Sequence, residues 1–197
     1  MPDLFVEADG ASQLDPDEQA GLRPTWITTR GELNQAEADN IAAAVAWSQQ
    51  KTRQRNDLLT PNYVLNLHKR MFNDVWRWAG GYRRTAKNIG VDANRISAEL
   101  MQRLSDVRYW VENETMPKDE IAVRFHHQLV FVHPFPNGNG RHSRLMADML
   151  CAQLGRPLFT WGGSSLLEDS EVRARYIATL KLADAYNISP LLEFARS

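Results

Sequence analysis

The run His133-Pro134-Phe135-Pro136-Asn137-Gly138-Asn139-Gly140-Arg141-His142-Ser143-Arg144 gathers a histidine, an amide oxygen, a glycine-rich turn and two arginines in one short stretch. Each of these suits one part of nucleotide-phosphate chemistry. An imidazole, with an ordinary pKa near ~6.5, serves as a general base at neutral pH. Gly138 and Gly140 allow backbone with φ > 0 and close approach to a ligand. Leu145, Met146, Met149, Leu150 and Leu154 recur at helical spacing. The turn therefore feeds a helix N-terminus, whose N–H groups and dipole attract an anion. Arg141 and Arg144 share a face of the first turn, where a cation is electrostatically misplaced. A polyphosphate lying between the arginines and the turn removes that conflict. Asn137 offers an oxygen where a hard cation such as Mg²⁺ would sit beside the phosphates, and Pro134 and Pro136 stiffen the backbone between base and cradle.

The segment resembles the Fic (Fido) motif, H-x-F-x-(D/E)-G-N-G-R-x-x-R, at every position but one: Asn137 stands where the family has an acid. "LHKRMFNDVWRWAGGYRR" at 67–84 resembles the family's helix and lead-in to its flap, and "YIATLKLADAYNISPLLEFA" at 176–195 resembles its C-terminal helices. The resemblance thus spans residues 58–196 as a Fic core and leaves 1–57 as an N-terminal arm and helix. The chain as a whole is similar to the bacterial Fic group nicknamed mobile mystery protein B.

The resemblance implies a single-domain, all-α helical bundle with a small β-hairpin flap. It implies an enzyme, a protein adenylyltransferase that moves AMP from ATP to a Ser, Thr or Tyr hydroxyl of a target protein and releases pyrophosphate with Mg²⁺. Carried across by residue, His133 is the base and Phe135 a buried anchor. Gly138, Asn139 and Gly140 form an anion hole around the α- and β-phosphates. Arg141 binds the β-phosphate and Arg144 the γ-phosphate. Asn137, at the metal position, brings an oxygen without charge, which implies weaker Mg²⁺ binding. Arginine rather than lysine at 141 favours nucleotidyl over phosphoryl transfer. Two other readings stay open: a de-AMPylating enzyme in which Glu32 orients a water, and a toxin-like nucleotide-binding module with low turnover. Self-modification, a homodimer and an antitoxin partner stay open with them.

Thr28 to Glu32 fits most of the family's inhibitory motif, (S/T)-x-x-x-E-(G/N), with Leu33 in the last place. The resemblance implies that Glu32 pairs with Arg144 and displaces the γ-phosphate. Thr29-x-x-Glu32 is equally a capping box for the helix that follows.

The remaining chain is that of an ordinary globular domain: 197 residues, 43% hydrophobic and 24% charged. A formal net charge of −1 gives no electrostatic reason for nucleic-acid or membrane binding. Cys151 is the sole cysteine, which excludes an intrachain disulfide and fits a reducing, cytoplasmic compartment. No apolar run is long enough to span a bilayer, and the acidic N-terminus lacks a secretory signal. Residues 1–24 read as an irregular arm. Apolar periodicity predicts helices over 32–52, 61–76, 97–114, 117–131 and 170–186, and 82–96 reads as a small hairpin around Gly90. His126, His127 and His133 lack a carboxylate or thiol at ligand spacing, so His126 and His127 read as core or supporting side chains. The tryptophans read as core and surface anchors.

Overall fold

The computed structural model describes residues 4–5, 13–49, 57–163 and 170–197. Its helices are α1 (Pro16–Gln19), α2 (Arg30–Gln49), α3 (Pro61–Phe72), α4 (Ile96–Glu112), α5 (Lys118–Val132), α6 (Asn139–Gln153), α7 (Ser170–Asp184) and α8 (Ser189–Arg196). The all-α expectation holds, with helix boundaries close to those the periodicity predicts. Residues 50–52 of the first predicted helix lie outside the described residues.

Local chemistry starts these helices where the sequence marks them. Thr60 caps α3 by accepting from the Tyr63 N–H, and Pro61 occupies its first turn, where a missing N–H does no harm. One stripe of α3, Tyr63, Val64, Leu67, His68, Met71 and Phe72, is buried. The predicted extension of this helix to 76 does not form. Arg23 N–H bonds the Val75 carbonyl and Arg77 N–H bonds the Gly21 carbonyl, which holds this stretch as turns around a single bridge and places Trp76 in the core at 1% exposure. The bridge Leu22–Trp76 is the isolated β-bridge found among the described residues.

α5 and α6 form the centre of the molecule. α5 packs against α4, α6 and α8, while α3 packs between α2, α4 and α6. The turn joining α5 to α6 carries the sequence run described first, so the two central helices position it from both ends.

Two local expectations change. The arm is not irregular throughout, because Asp15 and Glu18 form a reciprocal capping box that nucleates α1. Residues 1–3 and 6–12 of that arm lie outside the described residues. Residues 82–92 form an irregular loop followed by a 3₁₀ turn, Ala93–Arg95, rather than paired strands. The two limbs are joined by a side chain: the Arg83 guanidinium donates to the carbonyls of Thr85 and Val91. That bridge takes the place of a strand ladder.

Candidate active site

His133 ends α5. It caps that helix in the left-handed conformation, φ 51 and ψ 60, which costs a non-glycine residue roughly 1–3 kcal/mol and persists only where the surroundings enforce it. Its side chain is buried, and burial, followed by the nearby Arg83 guanidinium, pushes its pKa down to about 4. At neutral pH the ring is therefore uncharged, the form that can accept a proton.

The turn beyond it is pinned by its own side chains and by α3. Asn139 folds back so that its amide oxygen accepts from Phe135 N–H at 3.0 Å and its amide nitrogen donates to the Phe135 carbonyl at 2.8 Å. Phe135 is fully buried and stacks on the His68 ring with centroids 3.6 Å apart. His68 Nδ1 accepts from Gly80 N–H at 3.0 Å, so Nε2 carries the proton and donates to the Asn137 carbonyl at 3.1 Å. Burial holds His68 far below the usual histidine range. Gly138, at φ 77, is the N-cap of α6 and brings no capping side chain. A Cβ there would lie 2.5 Å from the Phe72 ring. The helix N-terminus is thus left to its backbone N–H groups, the arrangement that attracts an anion. Asn139 and Gly140 enter the cradle through their backbone, since the Asn139 side chain faces inward.

The two arginines diverge. Arg141 Nη1 donates to Glu37 Oε2 at 2.6 Å, its guanidinium lies over the Phe72 ring at 4.9 Å, and Nη2 reaches Asn137 Oδ1 at 3.4 Å. Glu37 is 6% exposed, and its other oxygen accepts from Trp76 Nε1 at 2.6 Å. Arg144 lies over the Tyr176 ring at 5.4 Å, and Tyr176 Oη meets His126 Nε2 at 2.9 Å. α7 therefore supports the second arginine, and burial lowers that arginine's pKa.

Glu32 does not join them. Its Oε2 accepts from Thr28 N–H at 2.8 Å, Thr28 Oγ1 at 3.1 Å and Thr29 N–H at 3.0 Å, and Thr29 Oγ1 accepts from Glu32 N–H. These backbone bonds lower its pKa and make it the capping box the sequence also allowed. The acid that reaches a motif arginine is Glu37, five residues further along the same helix. It lies in the buried stripe Leu33, Glu37, Asn40, Ala44, Ser48. That stripe is mostly polar, so apolar periodicity gave no sign that Glu37 would face inward.

Asn137 supplies a neutral amide oxygen that faces two donors, Gly138 N–H and Arg141. No group of three or more His, Cys, Asp or Glu that could hold a metal ion occurs among the described residues. Asn137 is thus one neutral oxygen that a cation carried in on phosphates would meet. His127 pairs with Asp184 at 2.8 Å. Cys151 is buried, and burial pushes its thiol up to about 12, so it is inert core.

A buried histidine ends α5 at the rim of a glycine-capped helix whose first two turns carry Arg141 and Arg144, an arrangement suited to binding an anion. Residues 58–151 match the Fic/DOC family model and belong to that family. Among curated relatives, the chain is 28% identical to protein adenylyltransferase fic-1 of Caenorhabditis elegans over 143 residues, 71% of this chain and 27% of that protein. It is 30% identical to fic-1 of Caenorhabditis briggsae over 66% of this chain and 25% of that one. The chain thus spans about a quarter of the length of the curated relatives it matches. Among solved structures, the N-terminal Fic domain of a Bartonella sp. AR 15-3 effector superposes with a TM-score of 0.70 at 14% identity, covering 92% of this chain and 91% of that one. BepC of Bartonella tribocorum, solved with bound AMPPNP, gives 0.68 at 17% identity over 92% and 97%.

Proposed function

We propose that the protein is an adenylyltransferase that moves AMP from ATP to a Ser, Thr or Tyr hydroxyl of a target protein. The observation that carries this reading is one glycine-capped turn with a neutral, buried His133 at its start and the cations Arg141 and Arg144 in the first two turns of the helix that follows. Membership of the Fic/DOC family and the relatives' activity support it. The AMPPNP bound by the Bartonella tribocorum relative supports ATP as the donor.

In this mechanism the target hydroxyl loses its proton to the His133 imidazole as its oxygen forms a bond to the α-phosphorus. The bond from that phosphorus to the oxygen bridging to the β-phosphate breaks, and pyrophosphate leaves. The α6 N-terminus, Arg141 and Arg144 bind and orient the phosphates and offset the charge that develops on the departing group. The polyanion beside His133 opposes the pKa depression from Arg83, which makes the ring a stronger base when the substrate is in place. A Mg²⁺ ion bound with the triphosphate would add charge neutralisation, with Asn137 contributing one neutral oxygen. Residues 58–196 constitute the transfer core. Residues 1–57 regulate it through Glu37, whose carboxylate occupies Arg141 in place of a phosphate. The buried thiol suits a reducing, cytoplasmic setting.

Incubation with ATP labelled at the α-phosphate tests the reading. Label should appear on protein, including on the chain itself. His133→Ala should bind nucleotide but lose transfer by about 10²–10⁴-fold, the usual cost of removing a general base. Near-normal labelling by His133→Ala would overturn the role given to His133. Tight nucleotide binding by the wild type with no label transferred would mark a binding module instead.

A further inference from the structure

Arg83 lies on the loop after α3, far in sequence from the motif, yet it is 2% exposed and built around the base. Its Nε donates to the carbonyl of His133 itself at 2.7 Å. Its Nη1 donates to the Thr85 carbonyl at 2.8 Å and its Nη2 to the Val91 carbonyl. The same residue's N–H donates to the Pro134 carbonyl at 2.9 Å, and Val91 N–H reaches the Val132 carbonyl at 3.4 Å. Three consecutive carbonyls, at 132, 133 and 134, therefore accept from one loop.

The loop also shapes the space around the base. Gly90, at φ +103, sits so close that a Cβ on it would lie 2.6 Å from the His133 Cβ and 2.8 Å from Arg83 Nη2. A buried guanidinium whose fork is matched to separate carbonyls fixes geometry in a way an ammonium cannot. His133 needs such a fixture. Its left-handed backbone is unfavourable for a residue with a Cβ, and a peptide unit held by Arg83 on one side and Gly90 on the other cannot relax into the preceding helix.

Resting on the adenylyltransferase reading above, we propose that Arg83 is a positioning residue for transfer. By clamping the His133 carbonyl and both limbs of loop 83–91 it holds the base in its left-handed, inward-aimed conformation. The same clamp sets the local field. The groups facing His133 are Arg83 and Lys87, both cations. Lys87 is itself tied to Glu18, to Asp15 and to the Gln13 carbonyl, whereas the hydrogen bonds of Arg83 go to carbonyls and the carboxylates of Asp92 and Glu18 act on it only through their charge. Arg83 is thus the cation that most directly disfavours a charged ring.

The test compares wild type, Arg83→Lys and Arg83→Gln in the labelled-ATP assay, with kcat, KM for ATP, ADP affinity, melting temperature and pH profile measured for each. Both variants are expected to lose kcat by about 10–100-fold, the scale of a small misplacement of a reacting group. KM for ATP and ADP affinity should stay within about twofold, since the guanidinium of Arg83 is spent on the carbonyls of His133, Thr85 and Val91. The acid limb of the profile should move to higher pH in Arg83→Gln, where a cation is removed, and less in Arg83→Lys. Should Arg83→Gln fail to fold, Arg83→Lys carries the test, because it keeps the charge but not the fork. Unchanged kcat in a folded variant would overturn the proposal. So would an activity loss that only follows the folded fraction with the acid limb unmoved. A wild type that transfers no label overturns the function itself, so the two failures are distinct.

Discussion

Glu37 and Arg141 are 104 residues apart in sequence, and their side chains meet at 2.6 Å beside the glycine-rich turn. Trp76 Nε1 holds the other carboxylate oxygen. The acid is therefore oriented from one side and engages the arginine from the other. A carboxylate so placed would compete with any phosphate brought to the same guanidinium.

Glu37→Gln keeps an oxygen for Trp76 and deletes the charge. Self-labelling should rise and ATP should bind more tightly, by about tenfold, the equivalent of part of a charge-assisted hydrogen bond worth roughly 1.5–3 kcal/mol. Glu32→Gln, which touches only the start of α2, should leave labelling unchanged. Activation by Glu32→Gln and not by Glu37→Gln would return the regulatory role to the earlier acid. A lower melting temperature with no gain from Glu37→Gln would make the pair purely structural.

Arg144→Ala should weaken ATP more than ADP. The arginine stands over Tyr176, one helical turn along from Arg141, where a third phosphate would extend. Calorimetric titration with both nucleotides measures the difference. Equal losses would remove Arg144 from the γ-phosphate.

Asn137→Asp should lower the Mg²⁺ concentration needed for half-maximal labelling, because a charged oxygen favours a hard cation. The new carboxylate would also sit beside Arg141 and a helix N-terminus, both of which keep it ionised. A Mg²⁺ requirement that stays the same or rises would mean that position 137 does not meet the metal. Intact mass must be checked first, since Asn-Gly deamidates readily.

Acid should unfold the protein in part through its buried rings. Burial pushes His142 down to about 3 and holds His68 and His126 well below their ordinary range. The unfolded chain takes up these protons near pH ~6.5. The stability each neutral ring contributes is thus fully present above that pH. For His142 it falls, as pH drops toward about 3, by ~1.4 kcal/mol per pH unit. His142→Asn can keep a donor for the Val64 carbonyl that His142 Nε2 now contacts at 3.0 Å. Its stability should depend less steeply on pH between 6 and 4, by about one proton per molecule. Identical slopes in urea titrations across that range would show that His142 does not titrate on unfolding.

Local interactions wrote much of this protein into its sequence. Thr60-Pro61 sets the start of α3, Gly138 caps α6, and the apolar stripes place α3 to α6 within a few residues of where periodicity puts them. The base, the turn and both arginines are neighbours in the chain, so their types and spacing announce the site without any knowledge of the fold. What the chain could not declare locally is which distant groups close on that site. Thr29-x-x-Glu32 satisfies a capping box and a regulatory motif equally as a string, and only the packing of α2 on α3 shows that Glu32 stays at its helix end while Glu37 turns inward. The glycine and short apolar alternation of 82–96 match a hairpin just as well as a loop. The outcome turns on Arg83, which reaches across 50 residues to His133 and bridges the two limbs with a side chain instead of a ladder. Helix starts and turns are decided by bonds between near neighbours, which sequence displays. Ion pairs and buried guanidinium clamps depend on distances that exist only once the core has formed.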